Sequence, residues 1–197
     1  MINIRTGVFE TNSSSMHTIV IGNGNSPHDD VSYLGEIRKS DYSTKLVYDD
    51  LEINEDGVPL MSWIDKLGYV LVWGLGSNNC IDAYDRKEFM DQMLAMVKEE
   101  HPEIDRIVLK DVQQTEGDYE LWDSIDHQSV DLLNEFKSTT VYGIRDIVFN
   151  SNIVIVPVWD GETIKDTVEI AERYGLKNPT DAYVEWGHYT KEDWENR

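Results

Sequence analysis

Apolar and polar positions change their spacing several times along the chain, and each change marks an element. His17 to Ile21 is rich in β-branched residues and predicts a strand; Ile2 to Phe9 alternate loosely ahead of it, with the polar turn Thr11 to Ser15 between. Residues 1–22 therefore read as a hairpin-like unit. Gly22 to Asp30 gathers Gly, Asn, Pro and Asp, each of which favours turns for its own backbone reason, and predicts a mobile loop over 22–32. Lys45 to Tyr48 predicts a short strand, closed by the turn residues Asn54 to Gly57. Pro59 then precedes Leu60, Trp63, Ile64, Leu67 and Leu71, whose spacing fits a helix buried on one side and ended by Gly74 to Ser77.

A second helix is signalled by Asp85 as N-cap with Glu88 three residues on, by the stripe Phe89, Met93, Met96 and Val97, and by Pro102 beyond its end. Arg106 to Val112 reads as a strand, and Asp126 is placed to cap a third helix with Val130, Leu133 and Phe136 on its apolar stripe. Ile153 to Val158 is the most strand-like run, although Pro157 has no N–H for a central ladder and points to an edge or a bulge. Glu162 to Tyr174 predicts a helix with Ile164, Val168 and Ala171 inward and Gly175 as its stop; Tyr183 to Trp186 predicts a final strand. Thr190 and Asp193 form a capping box for a short helix in a tail, 188–197, expected to fray. The sum is a single α+β domain over 1–197, with a mixed or antiparallel sheet, a central group of helices and no internal repeat.

Composition sharpens this picture in one respect. The chain holds 38 Asp and Glu against 17 Lys and Arg, a formal charge of −21, spread through every part of its length. Such a field repels nucleic acid and anionic membrane and attracts cationic surfaces. Six Trp, ten Tyr and 40% apolar residues argue that the chain folds despite the charge. Cys80 is the only cysteine, which excludes an intramolecular disulfide and a thiolate zinc cluster and fits a reducing compartment. Residues 1–20 have no apolar segment of the signal-peptide kind, and Leu67 to Leu75 is far short of the ~20 residues of a bilayer span. The expected location is the cytoplasm.

The N-terminal run from Phe9 to His17 concentrates a carboxylate, an amide, hydroxyls and an imidazole. One reading makes Glu10 and His17 acid and base, Ser13 and Ser15 phosphate or nucleophile positions and Arg5 an anion clamp. The other has Asn12 and the serines bonding their own backbone in a turn, with His17 tipping a strand. Arg5, the run Phe9-Glu-Thr-Asn-Ser-Ser-Ser and His17, together with Ile147 to Ile155, resemble a family of uncharacterised bacterial and phage proteins that open with an F-E-T-N-S-S-S-x-H motif. The resemblance implies a mobile-element origin and supplies no activity. Pro157 to Gly161 departs from that family, whose members continue with a Gly-Asn-Asp type of turn.

His28, Asp29 and Asp30 form the one run with divalent-metal chemistry, and adjacent loop residues alone make a poor site, so no metal or cofactor is expected. No H-E-x-x-H, Walker-type loop or G-x-S-x-G elbow is present in the sequence. From Asp111 to Glu135 the carboxylates Asp111, Glu116, Asp118, Glu120, Asp123, Asp126, Asp131 and Glu135 meet no Lys or Arg, and Tyr119 and Trp122 lie among them. Carboxylates several ångströms apart imitate the phosphates of a duplex, and aromatic anchors suit an interface; the same run also suits a solvated, solubilising face. Trp186, Tyr189 and Trp194 suit either an interface or a core. The expectation is a phage-type protein that binds and inhibits a basic host protein, a nucleic-acid-handling or defence enzyme, by mimicking nucleic acid rather than binding it. The alternative is a small enzyme acting on a nucleotide or other phosphate-bearing molecule through Arg5, Glu10, Ser13, Ser15 and His17. Sequence leaves the oligomeric state open.

Overall fold

The computed structural model describes residues 15–24, 32–49, 51, 58–75, 83–110, 113–115, 118–120, 132–159, 162–184 and 187–196. In chain order the elements are β1 (Ser15–Gly22), β2 (Glu36–Ser40), β3 (Ser43–Tyr48), α1 (Trp63–Leu75), α2 (Ala83–Glu100), β4 (Arg106–Leu109), β5 (Gln113–Thr115) and β6 (Asp118–Glu120). There follow α3 (Leu132–Thr139), α4 (Ile144–Phe149), β7 (Ile153–Trp159), α5 (Ile164–Arg173), β8 (Pro179–Val184), β9 (Gly187–Thr190) and α6 (Lys191–Glu195). The protein is α+β, as its pattern predicts: an antiparallel sheet in the order β7-β1-β8-β9, a mixed sheet β2-β3-β4 and the hairpin β5-β6.

Alternation along the strands of the larger sheet feeds two cores. Ile19, Ile21, Ile153, Ile155 and Tyr183 face the main core with α1, α3 and α4; Val20, Val154, Val156, Val158, Ala182 and Val184 face a second core covered by α5 and α6. Each face of this sheet is therefore apolar, which the β-branched runs at 17–21 and 153–158 encode directly. Pro157 sits on β7, an edge strand, where a missing donor costs no ladder bond. β1 is interior, and its described neighbours are β7 and β8, strands from the far end of the chain rather than a nearby hairpin partner.

α1 departs from the expectation of a helix buried on one side. Every residue from Ile64 to Val72 is buried, and only Trp63 and Trp73 are half-exposed. The reason is its position between the two sheets: Tyr69 reaches His17 on β1, while the Ile64 carbonyl accepts the Tyr48 hydroxyl of β3 at 2.7 Å. Leu60 lies ahead of the helix and forms an isolated bridge with Ile155. α2 begins before Asp85, so that residue lies within the helix instead of capping it; Met90, Met93 and Val97 are its buried stripe. α3 begins at Leu132, well past Asp126, and buries Leu132, Leu133 and Phe136.

The mixed sheet turns one face to the main core through Leu46 and Tyr48, with Ile37, Ile107 and Leu109 packed beside them. Its parallel pair, β3 and β4, is joined through α1 and α2. Gly35 and Gly68 let the Tyr48 ring lie flat between them, since a Cβ on either would come within 2.7 or 3.0 Å of that ring. α5 follows the predicted signals: Thr163 caps it through Asp166, and Gly175 takes a positive φ of 113° just beyond its end. α6 does not depend on its own length, because Trp194 anchors it in the second core. Trp194 is thus a core residue and not an interface anchor.

Candidate functional site

Asp65, Lys66 and His17 are buried titratable groups, and each has a structural role in its contacts. Asp65 is fully buried and accepts from Ser32 Oγ at 2.6 Å, Ser62 Oγ at 2.8 Å, and the backbone N–H groups of Tyr33 at 2.9 Å and Leu34 at 2.8 Å. Ser62 in turn caps the start of α1 by accepting from the Asp65 N–H. Lys66 donates to the carbonyls of Asn150 at 2.8 Å and Ile153 at 3.0 Å, satisfying the end of α4 and the start of β7. Burial pushes its pKa down from 10.5 to about 7.

His17, expected as an acid or base in the N-terminal cluster, is only 5% exposed and shares a 2.8 Å hydrogen bond through Nδ1 with the Tyr69 hydroxyl. Parity explains this: His17 points to the same side of β1 as Ile19 and Ile21, into the main core. Ser15 begins β1. Arg5, Glu10 and Ser13 lie outside the described residues, as do His28, Asp29 and Asp30 and Cys80. Of the acidic segment, the backbone of Asp118, Tyr119 and Glu120 forms β6, paired with β5, and Glu135 lies on α3. Asp111, Glu116, Trp122, Asp123, Asp126 and Asp131 lie outside the described residues, and so does Trp186. Tyr189 packs against the second core. Among the described residues no three His, Cys, Asp or Glu side chains converge as a metal site, and no helix is long and apolar enough to cross a membrane.

The outer face of the mixed sheet presents chemistry that the sequence reading passed over. Antiparallel register sets Arg38 opposite Lys45, and parallel register sets Lys45 opposite Arg106, so three cations stand in one row across three strands. The next row on that face is Glu36, Val47 and Val108. Arg38, Lys39, Lys45, Arg106 and Lys110 line a groove of about 290 Å³ over this face, with Ser40, Val47 and Val108 completing it. A second hollow of about 280 Å³, lined by residues 32–36 together with Val47 and Asp49, shares Val47 with the first.

Two carboxylates balance part of this charge. Glu36 and Asp49 both accept from Arg38, and Asp49 also accepts from Lys110 at 2.6 Å. Hydrogen bonds from Lys110 and then Arg38 hold the Asp49 carboxyl below its usual range, while Glu36 and then Asp49 raise Arg38. Lys45 and Arg106 have no ion-pair partner among the described residues. The signal for this site was periodic: 36, 38 and 40, 45 and 47, and 106 and 108 each share a face once their segments are strands. It was missed because Glu36 to Ser40 shows little apolar content, and because Lys45 and Arg106 are brought together only by register.

Fold and site together define an α+β protein with an open, cation-lined sheet face. No family model, curated protein or solved structure matches the chain.

Proposed function

We propose that the protein is a binding protein for a small anionic, phosphate-type ligand, held on the outer face of β2-β3-β4. The observation that carries this reading is the row Arg38, Lys45 and Arg106. Like charges directly opposite each other on a sheet destabilise it, by up to ~1 kcal/mol per pair. A chain with more than two carboxylates per cation has ample means to neutralise such a row. It leaves Lys45 and Arg106 without an acidic partner among the described residues, as expected of groups kept for an anion from outside. Lysine and arginine donors side by side suit phosphate oxygens, arginine by its planar fork and lysine as a point charge. This reading keeps the phosphate-bearing ligand anticipated for the N-terminal cluster and moves it to a different set of residues.

Calorimetry with phosphate-bearing small molecules tests it, comparing the native chain with Lys45→Ala and Arg106→Ala. Each charge-assisted bond is worth roughly 1.5–3 kcal/mol, so each substitution should weaken binding by at least about tenfold. No binding by the native chain, or binding unchanged in both variants, defeats the proposal.

A second reading is favoured by the distribution of charge. Residues with described side chains include every Lys and Arg except Arg5 and Arg197 but only half of the 38 Asp and Glu. The acid excess therefore belongs mainly to the other segments, with 111–135 prominent among them. Those segments are suited to dock on a basic, nucleic-acid-handling protein in the cytoplasm of a phage host. Used as bait in a host lysate, the chain should then retain basic proteins at low salt and release them as screening shortens the reach of charge to about 8 Å near 0.15 M. Capture indifferent to salt counts against this docking.

A further inference from the structure

We infer, building on the anion-binding reading above, that the ligand is a phosphate monoester carrying one flat, weakly polar group, the chemistry of a nucleoside monophosphate or an aryl phosphate. The cations of the outer face that have no acidic partner among the described residues, Lys45 and Arg106, stand at one end, while Lys110, past Val108 at the other, is paired with Asp49. One step of the pleat along β3 and β4, about 6.6 Å, leads from Lys45 and Arg106 to Val47 and Val108, which pair across the two strands. That apolar step, the half-buried Val108 beside the buried Val47, offers nothing to a second phosphate and leaves Val108 as the contact for a ring.

Beyond Val47 the surface changes again. The second hollow holds Tyr33, a residue 59% exposed, and it is bordered by the carboxylates of Glu36 and Asp49. A large aromatic ring standing in solvent beside a pocket is a platform for stacking a planar group. Glu36 is bonded to Arg38, and Asp49 to Arg38 and Lys110; their remaining lone pairs offer acceptors to ring N–H or sugar hydroxyl groups. The two cations there are already matched by carboxylates and leave little for a second phosphate. The order along the face is thus unpaired cation, methyl, then aromatic ring with ion-paired acid. A ligand complementary to that order has its single charged group at one end and its planar group at the other. A nucleic-acid strand or a polyphosphate, by contrast, brings repeated charge onto the valines and the two carboxylates, inside the field of a chain at −21.

The test titrates the full chain with inorganic phosphate, adenosine, adenosine monophosphate, phenyl phosphate, adenosine triphosphate and a short single-stranded oligodeoxyadenylate, followed by calorimetry. The monophosphates should bind at least tenfold more tightly than inorganic phosphate and than adenosine, and more tightly than the triphosphate or the oligonucleotide. Tyr33→Ala, an exposed position, should erase the advantage of the monophosphates while leaving inorganic phosphate binding intact. Lys45→Ala should weaken both, with circular dichroism confirming that each variant is folded. Inorganic phosphate binding as tightly as the monophosphates overturns this ligand assignment and leaves the anion site standing, as does preference for the oligonucleotide or the triphosphate. Absence of all binding, or insensitivity to both Lys45→Ala and Arg106→Ala, overturns both.

Discussion

Lys66 brings an ammonium into the main core and satisfies it with two carbonyls instead of an ion pair. Its folded pKa of about 7 lies below the ordinary 10.5, so between those values the unfolded chain binds more protons than the folded one. Stability linked to this group therefore rises as pH increases from about 7 towards 10, and below pH 7 the full cost of a buried charge is carried. Denaturant unfolding across that range should show the rise, by up to a few kcal/mol. Lys66→Met should flatten the profile; an unchanged slope means that another group supplies it. Tyr69→Phe removes the hydroxyl that meets His17 and should cost about 1 kcal/mol of unfolding free energy. At this level the chemistry was only partly legible. Parity along 17, 19 and 21 was in the sequence and already placed His17 inward, yet its polar neighbours drew it into a surface cluster. Asp65 and Lys66 interrupt an apolar stripe, and nothing local reveals that carbonyls of residues 150 and 153 await one of them.

Among the elements, those whose apolar period is strong were readable: β1, β3, β7, α2 and α5 fall where the pattern puts them, within a few residues. β2, α4 and the β5-β6 hairpin were not, since each is short and owes its conformation to partners distant in sequence or to a polar turn. α1 was recognised as a helix, but its packing was not, because a stripe read at 3.6-residue spacing hides the fact that the intervening Tyr69, Val70 and Val72 are buried as well. Its junction with α2 is tight. A Cβ at Gly74 would lie 2.1 Å from the Phe89 ring, on an aromatic itself set edge-on to Trp73. Gly74→Ala should therefore cost stability, roughly 1–3 kcal/mol of overpacking against the ~1 kcal/mol that alanine normally gains over glycine in a helix. A variant of equal or greater thermal stability would show that the two helices separate easily.

Over the molecule as a whole, composition announced the sign of the charge but not its arrangement. The sign came from a count, whereas register sets Arg38, Lys45 and Arg106 in one row on the mixed sheet, and much of the acid excess belongs to segments outside the described residues. Within the described residues many carboxylates are already occupied, as with Glu99 and Glu100 on Arg145, or the helix-capping Asp166 and Asp193. The remaining self-repulsion should be visible thermally: raising salt from about 0.02 to 0.5 M should increase Tm, since screening relieves like-charge repulsion more than it weakens scattered pairs. A falling Tm would mean that attractive pairs dominate. The pairing of β1 with β7 has a consequence for synthesis. Ile19 finds its place opposite Ile155 only after the intervening chain has left the ribosome, a wait on the order of ten seconds at ordinary elongation rates. Throughout that interval a β-branched, two-sided apolar segment is without its native shelter, and the growing polypeptide is a natural client for chaperones until its last quarter emerges.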